Sequence, residues 1–201
     1  WNDEVPVMHT YDECRDRMPP GLRYFPEFIT EEEEQTLMRH IDADAWETYL
    51  GRRTQQRGQR FSYTSHLLES LEPPFNRLPT YYDFVIERIR ARFPPIFTRG
   101  PDQSIINEYI GDQGINPHID KAELFEEVIV SLTLSGASGM IFDPSRRCDG
   151  EALGLMLQPR GLLIMEGDAR YKWRHGIPKV LVVKGLGGME FPRSRRVSLT
   201  L

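Results

Sequence analysis

"EVIVSLTLSGASGMIFDP", residues 127–144, decides the fold. Two runs rich in Val, Ile, Leu, Thr and Phe flank a Gly- and Ser-rich break, the composition of two short strands and the turn between them. Similar runs lie on both sides of it: "SIINEYI" (104–110), "ALGLMLQP" (152–159), "GLLIMEG" (161–167), "RYKWRHGI" (170–177) and "RRVSLTL" (195–201). Gly, Pro and Asp clusters separate them. Many short strands with no helical pattern between them predict an antiparallel sandwich or barrel, not a parallel α/β sheet. Upstream the texture differs. In "FITEEEEQTLMRHIDADAW" (28–46), Thr30 and Glu33 form a capping box, Glu31 to Glu34 suit a helix N-terminus, and Leu37, Met38, Ile41 and Ala45 share one face. A second helix is expected in "TYYDFVIERIRARF" (80–93), where Tyr82, Val85, Ile86, Ile89 and Phe93 recur at helical spacing before Pro94 and Pro95. The expected fold is α+β, mainly β: a jelly roll, or double-stranded β-helix, with flanking N-terminal helices. The stretch 94–103 reads as a loop within a single domain spanning 1–201.

Composition narrows the classes. Of the 201 residues 39% are hydrophobic and 27% charged, and no apolar run approaches the roughly 18 residues that a membrane span needs. The opening "WNDEVP" lacks a basic-then-apolar leader and reads as a trimmed chain. Only Cys14 and Cys148 are present, in no paired spacing, so a disulfide framework is not indicated and a reducing, intracellular home, cytoplasm or nucleus, is expected. A formal net charge of −5 argues against coating nucleic acid by overall attraction, although a local basic patch remains compatible with it. A monomer without membrane attachment is expected.

The tripeptide His-Ile-Asp occurs twice. In the first copy His40 and Asp42 lie at a helix end, where residues two apart point about 200° away from each other, so they cannot share an ion. The second copy, His118 and Asp120, follows Gly111, Gly114 and Pro117 and leads toward a strand. In extended backbone positions i and i+2 share a face, so these side chains can converge, as a metal pair or as a simple His-Asp hydrogen bond. His175, in another β-rich run, would complete a two-histidine, one-carboxylate set. Such a set leaves half of an octahedral iron open, and zinc accepts it too. On the last run Arg196, Ser198 and Thr200 alternate with Val197, Leu199 and Leu201, giving one polar face whose planar guanidinium suits a carboxylate. In "SIINEYI", Asn107 and Tyr109 share a face with Ile105 and can hydrogen-bond a polar ligand. The stretch "GRRTQQRGQRFSYTSH" (51–66) carries Arg52, Arg53, Arg57 and Arg60 with no acid among them, then Phe61 and Tyr63. It reads as a basic, aromatic loop able to hold phosphates and stack a displaced base, or as a plain solvated loop.

Taken in order, "NEYIGDQGINPHID", "IVSLTL", "GLLIMEGDARYKWRHGI" and "RRVSLTL" resemble the AlkB family of iron(II)- and 2-oxoglutarate-dependent dioxygenases. The resemblance covers residues 104–201 well and implies a catalytic jelly roll there, with helices and a substrate-recognition loop in 1–100. It implies that His118, Asp120 and His175 bind Fe(II), that Asn107, Tyr109 and Arg196 contact 2-oxoglutarate, and that Ser198 stands where many members have asparagine. Members usually carry another arginine two positions past the threonine, beyond Leu201. The implied activity uses molecular oxygen to oxidise a substrate C–H bond while 2-oxoglutarate becomes succinate. Formaldehyde is lost when the carbon sits on nitrogen, and a stable alcohol remains otherwise. The implied substrate is a modified base in DNA or RNA, single-stranded or flipped, held by Arg52, Arg53, Arg57, Arg60, Phe61 and Tyr63. Ala122 stands where several repair members carry an acid. The alternatives are a hydroxylase of protein or small molecules and a non-catalytic jelly roll that keeps a metal for structure.

Overall fold

Alternating side chains along each strand divide the interior into two main apolar layers and a small third cluster of Met8, Ile141, Met156 and Val183. In the computed structural model, which describes residues 5–48, 51–62, 64–97, 99–146 and 148–201, the strands are β1 (Met8–His9), β2 (Leu22–Phe25), β3 (Arg53–Arg57), β4 (Gln59–Phe61), β5 (Leu68–Ser70), β6 (Ser104–Tyr109), β7 (Ile115–His118), β8 (Ile129–Ser135), β9 (Ser138–Pro144), β10 (Leu153–Leu157), β11 (Leu162–Met165), β12 (Trp173–Ile177), β13 (Val182–Lys184), β14 (Glu190–Pro192) and β15 (Arg196–Thr200). The α-helices are α1 (Tyr11–Cys14), α2 (Glu31–Ala43), α3 (Asp83–Arg92) and α4 (Gly167–Tyr171). A six-stranded sheet runs β2-β11-β8-β15-β6-β3 and a five-stranded sheet β1-β10-β9-β12-β7. Their pairings are antiparallel apart from β1 with β10. This is the jelly roll that the sequence predicts.

The period of two assigns each side chain a layer. Val130, Leu132 and Leu134 of β8, Val197 and Leu199 of β15 and Ile106 of β6 face outward onto Leu37 and Ile41 of α2 and Val85, Ile86 and Ile89 of α3. Leu163 and Met165 of β11 face the other way and meet Met140, Phe142, Leu155, Trp173 and Ile177 of the smaller sheet. Each aliphatic side chain fully buried in either layer contributes roughly 1.5–3 kcal/mol. Between the two sheets, polar residues of β6, β8 and β15 interrupt the apolar lining.

The expected helices form with small adjustments. The Thr30 hydroxyl accepts from the Glu33 amide at 3.2 Å and the Glu33 carboxylate accepts from the Thr30 amide at 2.8 Å, the reciprocal cap expected from their spacing. Ala45, expected on the apolar face, lies beyond the helix and is exposed, because α2 ends at Ala43. Arg170 and Tyr171, expected in a β run, belong to α4, and the strand starts at Trp173.

The largest difference concerns 51–66, expected as a loop. Residues 53–57 form β3, the edge of the six-stranded sheet, paired antiparallel with β6. Residues 59–61 form β4, which makes a hairpin with β5. The first hundred residues therefore supply β1, β2 and β3 to the two sheets as well as the helices that cover them.

Candidate metal centre and cosubstrate cavity

The two histidines meet because their strands are paired in register. β7 lies at the edge of the five-stranded sheet, where Pro117, which has no N–H to donate, is tolerated. Across it His118 stands directly opposite His175 of β12, and the two imidazole centroids are 4.4 Å apart. Asp120, two residues past His118, has one carboxylate oxygen 3.5 Å from His118 Nε2 and the other 3.6 Å from His175 Nε2. Both separations are too long for good hydrogen bonds and suit an ion placed among the three groups. One donor atom from each residue lies within 4.8 Å of the others.

The protonation states suit ligation. His118 Nδ1 is 2.8 Å from the Asn116 carbonyl, which can only accept, so Nδ1 carries the proton and Nε2 offers its lone pair. Burial holds the His175 imidazole down to about 4, which keeps it neutral near pH 7. Burial alone would raise the Asp120 carboxyl, but the two imidazoles and Arg170 hold it down to about 2. Burial also works against charge on His118, and the Asp120 carboxylate outweighs it, raising that imidazole above its ordinary value. The first His-Ile-Asp copy diverges as expected: His40 stacks on Tyr81 at 4.8 Å and Asp42 pairs with Arg195.

Beside the triad, a cavity of about 110 Å³ is lined from both sheets, with Asn107, Tyr109, Arg196 and Ser198 among its walls. Register explains their convergence, since Arg196 pairs opposite Tyr109 and Ser198 opposite Asn107. Arg196 is only 1% exposed. Its guanidinium donates to Ser198 Oγ at 3.2 Å and, weakly, to Thr133 Oγ1 at 3.4 Å, while Nε has no partner. No carboxylate pairs with it among the described residues, and burial pushes its pKa below the ordinary arginine value. A buried charge left in this way costs several kcal/mol and suits an anion supplied from outside. Ser131 of β8 also lines the cavity; with Thr133 it lies on the polar face of "VSLTL", whose alternation was the available signal.

The substrate residues expected from sequence separate. Arg52 lines the cavity, donates from Nε to Asn107 Oδ1 at 2.9 Å and lies 5.6 Å from the Tyr109 ring. Arg53 is spent on Glu108, with one contact of 2.7 Å, Arg57 on Asp44, and Arg60 on Glu47 at 2.6 Å. The acids that neutralise them lie outside the stretch 51–66 itself. Phe61 stands 5.8 Å from Phe125 with the Lys121 ammonium 5.9 Å above its ring, and neither partner was anticipated. Tyr63 lies outside the described residues.

The family description "2OG-Fe(II) oxygenase superfamily" matches residues 21–201. A protein of Acanthamoeba polyphaga mimivirus called uncharacterized protein L905 is 31% identical across 90% of this chain and 83% of its own length. The Arabidopsis thaliana protein named alkylated DNA repair protein ALKBH8 homolog is 34% identical over 100% of this chain. This chain belongs to the AlkB family of 2OG-Fe(II) oxygenases. As a member it is an oxidoreductase that uses Fe(II) and 2-oxoglutarate. It spans 62% of the Arabidopsis relative and 25% of a Xenopus tropicalis relative named tRNA (carboxymethyluridine(34)-5-O)-methyltransferase alkbh8, to which it is 34% identical over 80% of its own length. The solved structure of OsALKBH1 shares the fold, with a TM-score of 0.66 over 91% of this chain and 96% of that one at 16% identity. For this AlkB-family chain the donor set and the uncompensated guanidinium fit the two groups the family uses.

Proposed function

We propose that this oxygenase oxidises a modified base in nucleic acid, with His118, Asp120 and His175 holding Fe(II) and Arg196 gripping the distal carboxylate of 2-oxoglutarate. The observation that carries the cosubstrate assignment is Arg196: a buried guanidinium with no acid partner in the cavity that also contains the three metal donors. Asn107, Tyr109 and Ser198 complete the polar wall around that carboxylate. When bound, Fe(II) couples oxidative decarboxylation of 2-oxoglutarate by oxygen to oxidation of a substrate C–H bond. Ile115, Ile129, Met140, Leu163, Met165 and Ile177 line the cavity with hydrocarbon beside the proposed metal ligands, which limits the water in contact with the reacting centre.

Two features support a nucleobase. Arg52 brings positive charge to the cavity lining and has no ion-pair partner among the described residues. Phe61, Phe125 and Lys121 combine aromatic faces with a cation, the surface on which an unstacked base rests. The Arabidopsis and Xenopus relatives carry DNA repair and tRNA in their names, and a Danio rerio relative is named probable RNA/DNA demethylase ALKBH6. The internal pairing of Arg53, Arg57 and Arg60 leaves less free charge for phosphates than their sequence suggests, which favours a second reading, a small molecule or protein substrate. Mass spectrometry of methylated oligonucleotides and tRNA incubated with Fe(II) and oxygen, with and without 2-oxoglutarate, separates the two. A 2-oxoglutarate-dependent mass change on a base, lost in His118→Ala, is expected. Succinate release with every nucleic acid left unchanged would favour the second reading.

A further inference from the structure

Asp120 presents a positioning problem that the two histidines do not. His118 and His175 sit on paired strands, whereas Asp120 lies past the end of β7, and residues 119–128 contribute no strand to either sheet. Sheet hydrogen bonds therefore do not fix its backbone. Arg170 of α4 does. The residue is 2% exposed and its guanidinium makes no ion pair among the described residues. Its donors reach four main-chain carbonyls of this one segment: Asp120 O at 2.7 Å, Phe125 O at 3.2 Å, Glu126 O at 3.3 Å and Lys121 O at 3.4 Å.

We propose that Arg170 is the positioning residue of the metal centre, fixing through this fan of carbonyls both the Asp120 carboxylate and the Phe125 ring. This inference rests on the ligand assignment above. The guanidinium suits the task because its five donors diverge in one plane and span several acceptors, whereas an ammonium is a point donor. Arg170 also lies five positions before His175, so a single short helix and strand tie the aspartate arm of the site to a histidine arm. The other end of the clamped segment carries Phe125, which meets Phe61 of β4. One side chain thus sets the spacing between the metal donors and the aromatic surface.

Co(II) titration of the metal-free protein tests this without turnover, read by visible absorption and calorimetry alongside thermal unfolding. Arg170→Lys keeps the charge and loses the fan. It is expected to weaken Co(II) binding about 10-fold, and Arg170→Met by up to about 100-fold, the range for residues that orient a metal ligand. The absorption of bound Co(II) should change in Arg170→Lys, and the Leu124 and Phe125 amides should exchange with solvent about tenfold faster. A role confined to folding would instead lower the unfolding temperature and leave Co(II) affinity and spectrum unchanged. Arg170→Lys binding within twofold of wild type, with an identical spectrum, overturns the inference when His118→Ala has lost binding. Wild-type protein that binds Co(II) no better than His118→Ala overturns the ligand assignment and this inference with it.

Discussion

Replacing Arg196 with methionine should move stability and cosubstrate binding in opposite directions. The wild-type guanidinium is buried with two neutral acceptors, one of them at 3.4 Å, and an unpartnered Nε. Replacing a buried charge of this kind with an apolar side chain of similar length is neutral or stabilising by about 1–4 kcal/mol. At about 2–4 °C per kcal/mol for a chain of this length, even 1 kcal/mol raises the unfolding temperature of the metal-free protein measurably. The ligand response should shrink sharply at the same time. For wild type with Mn(II), 2-oxoglutarate at 100 times its Kd adds about 2.7 kcal/mol, which corresponds to roughly 5–11 °C. Loss of a buried charged partner costs about 2–5 kcal/mol of binding, so Arg196→Met should keep at most about a third of that shift at the same concentration. Differential scanning fluorimetry with and without 2-oxoglutarate reads both quantities. A variant that unfolds at lower temperature yet responds fully to 2-oxoglutarate would refute the assignment of Arg196 as an anion receptor.

Other expectations follow from single contacts. Leu132, 1% exposed beneath α2 and α3, should cost about 2–5 kcal/mol when truncated to alanine, measured by urea unfolding. The two arginines Arg52 and Arg60 should behave differently: Arg52→Ala should weaken binding of a single-stranded oligonucleotide in fluorescence anisotropy, while Arg60→Ala, which only frees Glu47, should leave it nearly unchanged. Glu33, held down to about 2 by the Arg88 guanidinium, has a folded pKa below its ordinary value of 4.5. Its contribution is therefore present above pH 4.5 and lost as pH falls toward 2, and Glu33→Gln should flatten the stability curve across that window.

Much of this architecture was legible because alternation and capping are local. "VSLTL" and "RRVSLTL" announce a polar and an apolar face, and the capping box of Thr30 and Glu33 places the start of α2. The candidate triad was legible too, since two residues of it lie two apart in sequence and the third lies in a recognisable strand. What escaped is non-local. β3 is almost wholly polar, so its composition gave no strand signal. It forms because it pairs with β6, while Arg53 finds Glu108, 55 positions away in the chain. Glu108 itself, fully buried, is shared with Arg195, which reaches on to Asp42 of α2. Arg170 belonged to a β-looking run, and its acceptors are carbonyls, which carry no mark in the sequence.

The register of β7 against β12 has a bearing on how the chain tolerates changes in length. Between the pairs His175 with His118 and Ile177 with Ile115 the ladder slips, Asn116 and Pro117 being set against Gly176 alone, so β7 carries one residue of slack. The slip is what lets Ile115 and His118, an odd number of residues apart, line the same cavity, and removing either slack residue would leave a regular ladder with His118 still opposite His175. Trimming a single residue there would therefore spare the centre, and a longer excursion after Glu126, beyond the last carbonyl that Arg170 holds, would likewise leave the three groups together.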